Sequence, residues 1–156
     1  MPDLQSLADT AHNSLASFEG MLRGIPDANL HQAHPDGGWT VAQIVSHVHL
    51  SGLLFIADLE RLRHHAHLFM FREELGHDAV GAPPPSAAEA ADRIASLRVA
   101  LTDCLPAADP AVLEKTIDVP PFGTLKVGVF AQGIIGHLSA HADQARAILV
   151  KRGAIT

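Results

Sequence analysis

The sequence holds a single cysteine, Cys104, and no tyrosine. One thiol excludes an intramolecular disulfide, and a reducing cytoplasm is the expected location. Runs of Lys or Arg are absent and the formal charge is -6. That excludes a surface built to neutralise phosphates, so no nucleic-acid partner is expected. No stretch approaches the roughly 20 consecutive apolar residues of a bilayer span, and no membrane association is expected. The opening Met1-Pro2-Asp3 lacks the basic and apolar regions of a signal peptide.

What is present is a globular composition, 47% apolar and 18% charged over 156 residues. That length corresponds to one domain spanning residues 1–156 with one core. Histidine is the unusual residue, 11 in all. It is the commonest metal ligand, so its placement matters most.

Four segments carry helical periodicity and none shows sustained strand alternation. Leu4, Leu7, Ala11, Leu15, Phe18 and Leu22 form the first stripe, stopped by Gly24 and Pro26. The second segment opens on a capping box at Thr40 and Gln43. Its stripe is Val41, Ile44, Val48, Ser51, Phe55, Leu59 and Leu62, and its pattern blurs beyond Arg63 before Gly76. Ser86 and Glu89 form a second capping box ahead of Ala90, Ile94, Leu97, Leu101 and Leu105, with the helix ending before Pro106. Pro110 to Gly123 reads as an irregular connection with a short extended piece at Thr116 to Val119. Thr124 is the expected cap of the last segment, whose stripe is Val127, Phe130, Ile134, His137, His141, Gln144 and Ile148. Four amphipathic helices of this length predict an all-α four-helix bundle.

His137 and His141 occupy stripe positions that call for leucine or isoleucine. At i and i+4 their side chains share one helix face and can reach one ion. A buried imidazole pair needs hydrogen-bond partners, and a metal satisfies both rings. His47, beside the Ile44–Val48–Ser51 edge of the second segment, is the candidate third ligand. His49 lies about 200° around that helix from His47 and cannot share the ion. Three histidines leave positions open, as in a catalytic site. A lone His-x-x-x-His pair is more often not a metal site, and a lone inward histidine is more often a satisfied core residue. It is their combination that points to metal.

The run Gly38-Trp39-Thr40-Val41-Ala42-Gln43-Ile44-Val45-Ser46-His47 resembles the second-helix signature of the DinB/YfiT-like superfamily. Gly136-His137-Leu138-Ser139-Ala140-His141-Ala142-Asp143-Gln144 resembles its last-helix signature, His-x-x-x-His-x-x-Gln. Gln43 stands where an acidic residue is frequent. The resemblance implies a four-helix bundle, homodimers in many members, and a zinc or nickel site held by His47, His137 and His141. It also implies kinship with enzymes that use a low-molecular-weight thiol such as mycothiol or bacillithiol, as S-transferases or as a maleylpyruvate isomerase.

The expected function is therefore a metalloenzyme acting on a small molecule by thiol-dependent S-transfer, the ion lowering the pKa of a thiol. Absence of an evident general base beside the ligands favours transfer over the alternative, metal-dependent hydrolysis. A non-catalytic protein with a structural or sensory metal site is the third reading. Gln144 is a candidate support for a ligand or contact for substrate. Trp39 is read as a pocket wall or, with more weight, a hydrophobic staple at the helix start. His64, His65 and His67 lack a common face and read as a solvated or dimer-edge cluster. Cys104 reads as a buried thiol and Asp143 as exposed. The crowded Phe69-Met70-Phe71 suggests burial all round, with a subunit contact as one place for it. Gly128, Gly133 and Gly136 mark either a close approach of a neighbouring helix or ligand to the last helix, or irregular first turns.

Overall fold

The computed structural model describes residues 3–70 and 81–156. Four long helices carry the fold: α1 (Leu4–Arg23), α3 (Val41–His64), α4 (Ala87–Ala107) and α5 (Val127–Lys151), with a one-turn α2 (Asp27–Leu30) after α1. The four form a bundle in which α1 packs on α4 and α5, and α3 packs on the same two helices. The first two long helices in the sequence, α1 and α3, thus lie diagonally opposite each other.

The apolar stripes account for this packing. Each expected core residue of the first three stripes is buried, and Leu15, Phe18, Phe55, Ile94 and Leu101 are essentially inaccessible. Gly52 in α3 faces Leu97 in α4 so closely that an added Cβ would lie 2.4 Å from a Leu97 methyl. The helix starts are capped chemically. Asp3 accepts from the Ser6 amide, and Thr40 and Gln43 complete a reciprocal capping box. Ser86 accepts from the Glu89 amide. The carboxylate of Glu89 pairs with Arg93 at 2.6 Å, so only the Ser86 half of that expected box forms.

Several expectations need correction. Helix α4 runs through Pro106 to Ala107, because in a last turn the missing N–H of a proline costs only one bond. Thr124 does not cap α5. It lies in β3 (Gly123–Lys126), which pairs antiparallel with β2 (Thr116–Val119), while β1 (His67–Phe69) pairs parallel with β2 on its other side. Helix α5 starts at Val127. Leu68, Ile117 and Val119 from this small sheet are buried. Met70 is also buried, whereas Phe69 is half exposed on the single chain. Phe71 and Gly76 lie outside the described residues. Gly133 and Gly136 sit inside a continuous helix with nothing within 4 Å of an added Cβ, so the helix is not irregular there and no neighbouring helix among the described residues approaches them closely.

Helix α3 is also long and apolar enough, by length and composition, to cross a membrane. Against the expectation that no stretch approaches this, its 24 residues pass, but the helix is mostly buried against α4 and α5 as a core helix of the bundle.

Candidate metal centre

The site is built from the start of α3, the middle of α5 and the loop before α3. Gly37 and Gly38 both adopt positive φ, +96° and +100°, a conformation that disfavours side chains. This turn delivers Trp39 to the capping box, where Thr40 bridges back to Ala33. Arg152, just beyond α5, donates to the Ala33 carbonyl at 2.9 Å and ties the loop to the last helix.

Within that frame His47, two turns into α3, meets His137 and His141 of α5. One ligating nitrogen from each ring lies within 4.8 Å of the others. Nε2 of His47 is 2.9 Å from Nε2 of His137. The three rings meet edge to face, with centroids 4.4–5.1 Å apart. Trp39 lies 4.8 Å from the His47 ring and is stacked 5.7 Å from the His141 ring. It therefore forms a wall of the cluster, the reading given less weight from sequence. His47 is buried, while His137 and His141 are half-buried. The last stripe is thus displaced from expectation: the core face of α5 here is Leu138, Ala142, Ala145 and Leu149, and the two histidines flank it. Gln144 is exposed, and its Oε1 lies 2.8 Å from Nδ1 of His141.

The donor set fits a divalent ion. Three neutral imidazole nitrogens suit zinc, nickel or copper in preference to calcium or magnesium. Nitrogens each about 2.1 Å from one tetrahedral ion lie about 3.4 Å apart. A separation at the 4.8 Å limit of the cluster would close by about 1.4 Å, which rotation of the imidazole rings about their side-chain bonds can supply. Among the described residues these three are the only group of three or more His, Cys, Asp or Glu side chains placed to share an ion.

The other candidates fall elsewhere. His64, His65 and His67 are exposed at the sheet end. His67 bridges Thr116 Oγ1 at 2.8 Å and Asp118 at 3.1 Å across the β1–β2 pair. The Thr124 hydroxyl donates to Asp118, and with His67 it holds that carboxyl below the usual range despite some burial. His49 is outside the cluster; burial, with the Arg93 guanidinium, pushes its pKa down. Cys104 is half-buried and its thiol is pushed up to about 11 by burial. The side-chain oxygen of Gln43 accepts from the Thr40 amide in the capping box.

Comparison with known proteins agrees with this architecture. The family model of the DinB superfamily matches residues 10–145. Among solved structures, YfiT from Bacillus subtilis superposes with a TM-score of 0.77 at 14% identity, over 97% of this chain and 89% of that one. It is described as a probable metal-dependent hydrolase with an unusual four-helix bundle topology. A DinB-like protein from Bacillus cereus ATCC 10987 superposes with a TM-score of 0.71 at 20% identity, over 96% of this chain and 93% of that one. No curated protein matches significantly. A bundle with diagonal α1 and α3, three converging histidines on α3 and α5, and a family match over most of its length place this chain in the DinB superfamily.

Proposed function

We propose that the protein is a divalent-metal-dependent enzyme acting on a small molecule, with His47, His137 and His141 as the protein ligands. The observation that carries this reading is their convergence at the edge of the core, one ring buried and two half open to solvent. A structural site is typically closed by four protein ligands, whereas three leave room for a reactant. When bound, the ion stabilises negative charge on a sulfur or oxygen nucleophile at neutral pH. The chain supplies the frame: the capping box fixes the first turn of α3, and Trp39 covers the rings on one side.

Thiol transfer is the first reaction to test, because no carboxylate among the described residues joins the cluster to take a proton from water. A thiol, far more acidic than water, needs less help from such a base. Hydrolysis is the second reading, favoured by the description of YfiT. Zinc and nickel are the proposed ions. A reducing compartment suits the lone half-buried thiol of Cys104.

The test is to load the purified protein with zinc or nickel and assay it with low-molecular-weight thiols plus electrophiles, then with small esters and amides alone. Metal-dependent turnover that disappears in His47→Ala, His137→Ala and His141→Ala is expected. Stoichiometric metal binding with no turnover of either class would make the site structural or sensory. Failure to take up metal would remove the reading altogether.

A further inference from the structure

We infer that Gln144 is a positioning residue that selects the tautomer of His141 and so directs its Nε2 lone pair into the histidine cluster. This rests on the metal-site reading for its purpose, but its physical content is a property of the metal-free chain.

A neutral imidazole has one N–H and one lone pair, and whichever nitrogen donates a hydrogen bond leaves the other to ligate. The Gln144 carbonyl oxygen lies 2.8 Å from Nδ1 of His141. A carbonyl can only accept, so Nδ1 must carry the proton and Nε2 the lone pair. The contact comes from a single element. His141 and Gln144 are three apart on α5, which places both side chains on one face regardless of how the bundle breathes. The ring is therefore held from both sides, by Trp39 stacked at 5.7 Å on its face and by Gln144 at its edge.

Such outer hydrogen bonds to a ligating histidine typically carry 10–100-fold in metal affinity. Gln144 is exposed, and water can replace a lost acceptor in part, so the low end of that range applies. The distinctive feature of the role is that it needs an acceptor and not an amide. Gln144→Glu keeps an acceptor on a side chain of the same length, whereas Gln144→Ala removes it.

Two measurements on the full chain test this. Zinc and nickel affinities are measured by competition with a chromophoric chelator for the wild type, Gln144→Ala and Gln144→Glu. Separately, nitrogen chemical shifts of the His141 ring are recorded on metal-free protein at a pH where the ring is neutral. The expected result is about a tenfold loss of affinity in Gln144→Ala and recovery in Gln144→Glu. The ring should be Nδ1–H in the wild type and shift toward Nε2–H in the alanine variant. A change of less than about threefold in Gln144→Ala, against the 10–100-fold typical of such partners, overturns the proposal. So does an equal loss in both variants. If the wild type itself binds neither ion, the metal-site reading fails. The ring shifts then still decide the role of Gln144, since identical tautomers in wild type and Gln144→Ala would refute it.

Discussion

Metal loading should raise thermal stability by an amount set by ligand number, and His141→Ala should abolish the rise. The core is supplied by four apolar stripes, with Leu15, Phe55, Leu97 and Ile134 all buried independently of the histidines. The apo protein should therefore be folded, unlike a zinc finger. An ion that binds only the folded arrangement stabilises it by about 2.7 kcal/mol at a hundredfold excess over Kd. For a domain of this size about 1 kcal/mol corresponds to about 2–4 °C, giving a rise in Tm of about 5–11 °C. His141 is half-buried and hydrogen-bonds the exposed Gln144. Truncation to alanine should thus cost the apo protein only about 1 kcal/mol. Two remaining imidazoles hold an ion far less tightly, so at the same metal concentration the variant's rise should be under about 2 °C. The rise in the wild type should also shrink as pH falls into the range where imidazole protonates, because imidazolium has no lone pair to offer. Circular dichroism melts with and without zinc, on wild type, His141→Ala and the exposed control His65→Ala, make the comparison. An equal rise in His141→Ala would show that this ring is not a ligand. An unfolded apo wild type would show that the ion holds the fold together, against the enzyme reading.

Other outcomes follow from the same geometry. His64→Ala, His65→Ala and His67→Ala combined should leave metal content unchanged by elemental analysis, since all three sit exposed at the sheet end. Gly52→Ala should destabilise by about 1–2 kcal/mol despite its better helix propensity, because its Cβ would meet buried Leu97. Chemical denaturation of Gly52→Ala with Leu97→Ala should then show a double-variant cost well below the sum, and additivity would contradict the contact. Gly133→Ala, facing open space, should instead stabilise by about 1 kcal/mol, and a loss of stability would reveal an occupant there. Cys104, with its pKa pushed up to about 11, should alkylate with iodoacetamide at pH 8 about a hundredfold more slowly than a free cysteine near 8.5. Its rate should climb with pH through 10 and beyond, and full labelling at the free-thiol rate would refute the burial effect.

The histidine cluster was legible because helical spacing is rigid. His137 and His141 can only be neighbours once α5 is a helix, and His47 follows from its place on the neighbouring stripe. The capping box at Thr40 and Gln43 was legible for the same reason, being wholly local. What escaped was decided by tertiary pairing. The strand His67–Phe69 is three residues long, too short to show alternation, and exists because β2 lies beside it. Thr124 has the chemistry of a helix cap, but the turn at Gly123 returns the chain onto β2, and its hydroxyl goes to Asp118 instead. The closeness of Gly52 to Leu97 needs the α3–α4 register, which periodicity does not give. Trp39 is a similar case, since its contact with His141 depends on the loop conformation set by Gly37 and Gly38. The runs that resemble DinB superfamily signatures, Gly38 to His47 and Gly136 to Gln144, lie on the two elements whose histidines converge, so the resemblance marks both halves of the cluster.

The position of Trp39 has an optical consequence. It is the only tryptophan in a chain without tyrosine, and its ring lies 4.8 Å from that of His47 and 5.7 Å from that of His141. All ultraviolet emission excited near 295 nm therefore originates beside the three histidines, with no other fluorophore to dilute it. A paramagnetic ion such as nickel bound there would darken the protein almost completely, whereas zinc, with its filled d shell, would shift the emission without extinguishing it. The unmodified chain thus carries a built-in lamp at its own centre, able to report which ion has arrived and how fast.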